Sequence, residues 1–128
     1  MKIYLKDLIE FQGSNEDIIF GFRNFLDYFY SIKDKDKEIF LRDEPNVDLI
    51  KDDNKEDKIT FISAFHFLCR WFELDIPEWM LKDKYILDKP YYPGATNDWL
   101  KSWSERTAKE ETKYHNVFIN INDLVLRI

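Results

Sequence analysis

Residues 55–73 read KEDKITFISAFHFLCRWFE, and this stretch decides the fold. With His66 set at 0° and about 100° per residue, Phe61, Ala64, Phe65, Leu68, Trp71 and Phe72 fall between about 100° and 260°. The spacing predicts a central helix from Lys55 to Glu73, with Ser63, His66, Arg70 and Glu73 on its opposite face and His66 either solvated or hydrogen-bonded.

Upstream, Ser14-Asn15-Glu16-Asp17 places a hydroxyl at an N-cap and acids in a first helical turn. Ile18, Phe22, Phe25, Phe29 and Ile32 then recur at helical spacing. A shorter helix over Tyr4 to Phe11 is expected to end at Gly13, and Gly21 to weaken the long helix by roughly 1 kcal/mol. Lys33 to Lys37, KDKDK, reads as a solvated junction before a short helix around Glu38 to Arg42, whose Ile39, Phe40 and Leu41 seek the core.

Downstream, Asp75-Ile76-Pro77-Glu78 predicts a fresh helix start with Pro77 in the first turn. Pro90 and Pro93 forbid a helix through Tyr85 to Pro93, which predicts an extended strap turned by Gly94. Thr96 or Asn97 should cap another helix in which Trp99, Leu100, Trp103 and Arg106 share a face. The alternating NVFINI (residues 116–121) suggests a short strand, and Asn122-Asp123 one last helical turn. The expected fold is mainly α: one bundle of five or six helices around Phe22, Phe25, Phe29, Phe61, Phe65, Leu68 and Phe72. Residues 1–37 form its N-terminal part.

With 128 residues, 17% of them aromatic, and only 3 Gly and 4 Pro, the chain has material for one sizeable core and little for disorder. The net charge is −6. Between Asp43 and Asp57, seven acids face Lys51 and Lys55, a local −5, so the acidity belongs to one connection. That balance argues against unaided nucleic-acid binding. One cysteine and two histidines make neither an intrachain disulfide nor a self-contained zinc site, and no cofactor is expected. Lys6, Asp7 and Glu10 interrupt the first apolar stretch, so no signal-peptide core is read there. No apolar run approaches the roughly 20 residues of a membrane span. A cytoplasmic location is expected.

Several segments together resemble a known family: Arg42-Asp43-Glu44-Pro45, Ile76-Pro77-Glu78-Trp79, Leu87-Asp88-Lys89-Pro90-Tyr91-Tyr92-Pro93, Tyr114-His115-Asn116-Val117-Phe118-Ile119 and Asp123-Leu124. The order is similar to bacterial antitoxin-like proteins with an EP…LPxPxW…FLDxPWF…RNVF(V/I) pattern, found alone or fused to helix-turn-helix domains. The resemblance covers residues 38–128. It departs where Tyr114-His115 stand in place of arginine, and no helix-turn-helix domain is read in the chain. The resemblance implies a regulator that binds and neutralises a partner, the adjacent gene's product.

Two kinds of site are candidates. His66 and Cys69 are three residues apart on one helix, and with His115 and nearby acids would suit an enzyme of unknown class. Yet Cys69 lies on the margin of the apolar face, about 60° from His66, which favours a buried thiol. The other candidate is a partner-binding surface of Asp48, Asp52, Asp53, Glu56 and Asp57 with Trp79, Tyr91, Tyr92, Trp99 and Trp103. Acids steer a basic partner, and Trp and Tyr anchor interfaces. The acids lack the glycine turn and ligand spacing of an EF-hand loop, so no metal is assigned to them. Residues 82–113 carry a net of +1, too little for a base-stacking groove, and a DNA-associated regulator ranks last. A non-enzymatic protein-interaction module is the leading expectation. Exposed aromatics would equally serve a homo-oligomer.

Overall fold

In the computed structural model, which describes residues 3–124, the helices are α1 (Leu5–Glu10), α2 (Asn15–Ser31), α3 (Asp34–Lys37), α4 (Lys55–Trp71), α5 (Asp98–Thr107), α6 (Glu110–Tyr114) and α7 (Ile121–Leu124). Seven α-helices among the described residues exceed the five or six expected, because α3, α6 and α7 are single turns or little more. Short 3-10 turns at Glu38–Phe40, Val47–Leu49, Glu78–Leu81 and Asp83–Tyr85 fill the connections. The fold is mainly α, with one hydrophobic core drawing on residues from Leu5 to Ile121.

The Ser14 hydroxyl accepts from the Asp17 amide at 3.2 Å and starts α2 where the sequence places it. The buried face of α2 carries Ile18, Phe22, Phe25, Leu26 and Phe29. Phe22 stacks on Phe61 of α4 with centroids 4.3 Å apart, and Phe25 and Phe29 each meet Phe65 at 5.2 Å. Such aromatic pairs contribute about 0.5–1.5 kcal/mol beyond the area they bury.

The central helix is buried on every side rather than on one. From Lys58 to Cys69 all residues of α4 are buried, Ser63 and His66 included. The opposite face with Ser63 and His66 is closed as well: α6 packs on α4, and of the two expectations for His66 the hydrogen-bonded one holds. Trp71, expected inside, is 62% exposed. Trp71 is the last residue of α4 and its ring lies beside Phe67 of the same helix, centroids 6.0 Å apart, just before the helix stops. Glu73 takes a left-handed φ of 57°, its amide bonds to the Arg70 carbonyl, and the Leu74 amide bonds to the Cys69 carbonyl at 2.7 Å. In this Schellman arrangement the half-buried Leu74 packs against the core.

Other expectations are corrected. The KDKDK segment is solvated at Lys33, Asp34 and Lys35 as expected, but it forms α3 and buries Lys37. Its ammonium donates to the Ile32 carbonyl at the end of α2 and to Asp34 at 2.9 Å, with the Phe72 ring 4.7 Å away. The carbonyl end of a helix and an aromatic face both favour a cation, which outweighs the charge pattern. Around residue 40 the turn is 3-10, and Ile39 points outward. Pro77 precedes the turn at Glu78–Leu81 instead of lying in it.

The strap is present, while the short strand expected at residues 116–121 is reduced among the described residues to a single bridge, and Ile121 already belongs to α7. Tyr91 and Val117 form one isolated parallel bridge, with the Tyr91 amide donating to Asn116 at 2.9 Å and the Phe118 amide to Tyr91 at 2.8 Å. Leu87 is bonded in turn to the His115 carbonyl. Pro90 and Pro93 remove the donors a longer ladder would need. Gly94 turns the chain at φ 72°, and Asn97 caps α5 by accepting from the Leu100 amide at 2.8 Å. Asn120, rather than Asn122, makes the side-chain bond at the start of α7.

Candidate functional site

Two histidines that the sequence separates by 49 positions meet in the interior. His66 comes from the middle of α4 and His115 from the residue that closes α6. His66 Nδ1 and His115 Nε2 are 2.9 Å apart, with the rings nearly perpendicular. His115 Nδ1 lies 2.7 Å from the Tyr85 carbonyl. A carbonyl oxygen only accepts, so His115 Nδ1 carries a proton. In the neutral ring His115 Nε2 is then an acceptor, and His66 Nδ1 donates to it.

Both rings sit where charge is costly. Burial lowers His66 below the ordinary imidazole range. It lowers His115 to about 4, against the opposing effect of the Tyr85 carbonyl and with a smaller contribution from His66. The partners of the pair are each other and a backbone carbonyl. Cys69 is buried three residues on, and its thiol is pushed up to about 12 by burial and by the charge of Glu38. A neutral thiol in apolar surroundings is a poor nucleophile. One turn along α4, Arg70 Nη1 reaches both oxygens of Glu111 at 3.1 Å and fastens the same two helices. The histidine chain is therefore a hydrogen-bonded tie between α4, α6 and the turn at Tyr85.

A second node lies on the other side of Tyr85. Its hydroxyl donates to Glu44 at 2.8 Å, and Lys82 and Lys84 each reach the same carboxylate at 2.7 Å. The two lysines hold the Glu44 carboxyl down at about 2, while burial and the adjacent carboxylate push the Tyr85 phenol well up. Trp79 packs edge-on against Tyr85 and donates from Nε1 to the Leu41 carbonyl at 3.0 Å. Glu38, Asp43, Glu44, Asp75 and Glu78 line a neighbouring cleft of about 530 Å³ whose only basic lining residue among those described is Arg42.

The sequence-predicted partner surface divides in two. Asp48, Asp52, Asp53 and Glu56 are exposed. Asp57 is half-buried and accepts from the Tyr91 hydroxyl at 3.1 Å, which with burial pushes the Tyr91 phenol up to about 12. Tyr92 stacks on Phe118 and donates to Glu105. Trp79 is buried, so its indole is spent on the core and offers nothing to a partner. Trp99 and Trp103 remain outside, 68% and 44% exposed, with parallel indoles 6.2 Å apart on α5. Helix α5 buries only Ser104.

Sequence reasoning missed the His66–His115 pair, Lys37 and the buried Lys58, whose ammonium donates to the Phe11 carbonyl at 2.8 Å and to Leu49 at 3.3 Å. Lys58 follows the charged Lys55-Glu56-Asp57, so its local sequence gives no sign of burial. Among the described residues no three His, Cys, Asp or Glu side chains are grouped to hold a metal ion, and no helix is long and apolar enough to cross a membrane. No family model, no curated protein and no solved structure matches the chain.

Proposed function

We propose that the protein is a non-enzymatic interaction module, an antitoxin-like cytoplasmic regulator that binds and neutralises a partner protein. The observation that carries this reading is the stacked, exposed pair Trp99 and Trp103 on a helix that gives almost nothing to the core. Large rigid aromatics left outside a fold are the usual anchors of an interface. The exposed acids Asp48, Asp52, Asp53 and Glu56 add a field that speeds the approach of a basic partner. The antitoxin label rests on the resemblance of residues 38–128 described above.

The adjacent gene's product is the partner to test, by pull-down with the purified protein and by growth of cells expressing each gene alone and both together. Retention of the partner and recovery of growth on coexpression are expected. If no partner is retained and coexpression changes nothing, the antitoxin reading falls. The enzyme reading drew on His66 and His115, and their mutual bonding supplies a structural role for both.

A further inference from the structure

The surface formed by α1 and α2 carries a groove of about 390 Å³. Leu8, Gly21 and Phe25 line its floor. Phe11 and Phe20 line it as well, 46% and 67% exposed. A Cβ at Gly21 would stand 3.2 Å from the Leu8 methyl, so the glycine brings the two helices together and keeps the floor low. That explains a residue in mid-helix that costs roughly 1 kcal/mol against alanine. The exposed carboxylates are Asp7 on α1 and Asp17 on α2, and no basic residue among those described lines the groove.

We propose that this groove docks a short amphipathic helix of a basic partner protein, its apolar residues seated on Leu8, Phe11 and Phe20 and its Lys or Arg side chains paired with Asp7 and Asp17. The proposal rests on the interaction-module reading and adds where and with what chemistry a partner is held. Asp17, Phe20, Gly21, Asn24 and Phe25 follow one another at i, i+3, i+4, i+7 and i+8 along α2, so the groove is about two helical turns long, or about 12 Å. An apolar trough of that length suits anchors at i and i+3 or i+4 of a helix. Charge decides the occupant. A second copy would bring its own Asp7 and Asp17 against these two with no lining cation between them, on chains each carrying −6. An anionic membrane surface is repelled by the same two carboxylates.

The test uses the full chain and two synthetic helical peptides of about 14 residues with an identical Leu/Phe stripe, one flanked by lysine and one by glutamate. Amide shifts mapped by NMR should fall on Leu8, Phe11, Phe20 and Gly21, with the lysine peptide binding about ten-fold tighter than the glutamate peptide. Asp7→Asn with Asp17→Asn should cut that preference to about three-fold or less, and Phe20→Ala should weaken the lysine peptide about ten-fold without lowering the unfolding midpoint. Equal affinities, peptide-free dimers that Phe20→Ala dissolves, or Phe20-dependent binding to phosphatidylserine vesicles would each overturn the proposal. Shifts confined to Trp99 and Trp103 would remove the groove and leave the interaction module standing. Failure of that broader reading is reported separately by the coexpression assay.

Discussion

His66 Nδ1 lies 2.9 Å from His115 Nε2, and His115 hands the chain on to the Tyr85 carbonyl at 2.7 Å. Both imidazoles are neutral in the folded protein and free to protonate when it unfolds. Their folded pKa values lie below the ordinary 6.5, so between about 6.5 and about 4 the unfolded chain binds more protons. Stability from this pair is complete above pH 6.5 and is lost as the pH falls toward 4. For His115 alone the shift corresponds to about 3 kcal/mol across that window. Urea unfolding at pH 7, 6, 5 and 4 should show the decline, and His115→Gln should remove most of it. A stability unchanged between pH 7 and 5 would contradict the neutral pair.

Glu44 presents the opposite sign. Its carboxyl is held at about 2 against an ordinary 4.5, so its contribution is present above pH 4.5 and disappears between 4.5 and 2. Glu44→Gln should cost about 1 kcal/mol at neutral pH, since the ion pairs are part-exposed and the Tyr85 hydroxyl loses its charged acceptor. The tyrosine titration should also move down toward its ordinary value, which an absorbance titration reads directly.

Glu73 occupies a left-handed position that favours glycine. Glu73→Gly should therefore raise stability by about 1 kcal/mol while leaving the Leu74 to Cys69 bond in place. A loss of stability would mean that the Glu73 side chain contributes more than its backbone costs.

Lys37 separates packing from charge. Lys37→Met keeps the aliphatic stem against Phe29 and Phe72 but leaves the Ile32 carbonyl without its donor, and should cost about 1–2 kcal/mol. Lys37→Ala also removes the stem and should cost about 3 kcal/mol. Chemical denaturation of the two variants measures both steps, and equal losses would assign the whole effect to the ammonium.

Trp99→Ala and Trp103→Ala should each change stability by about 0.5 kcal/mol or less, because both indoles are outside the core. In a pull-down the double variant should lose the partner. A large drop in unfolding midpoint would place the pair in the fold and not at an interface.

How much of this was legible in the sequence depends on the range of each interaction. The Ser14 cap, the Asn97 cap, the Gly94 turn and the apolar stripes of α2 are local, and each is found where its residues predict. The polar side of α4 was legible as a face but its burial was not, because one helix cannot announce that a second will cover it. His66 and Ser63 share that face, and α6 packs on it. Lys37 was misread for a related reason: an alternating charge run says nothing of the Phe72 ring or of the carbonyl end of α2 beside it. The aromatic half was legible as a class but not residue by residue. Trp79 and Trp99 look alike in the sequence, and only Trp79 has the Leu41 carbonyl within reach of its indole.

The packing of α6 on α4 also sets a timetable. During synthesis α4 is complete at residue 71, whereas α6 ends at residue 114, about forty residues later. At roughly 5–20 residues per second the nascent helix waits several seconds with Ser63 and His66 uncovered and Arg70 without Glu111. Until then the N-terminal helices can gather only the phenylalanine side of α4. The histidine tie is therefore a closing step of vectorial folding, and a ribosome stalled before Glu110 would hold a chain whose central helix is half dressed.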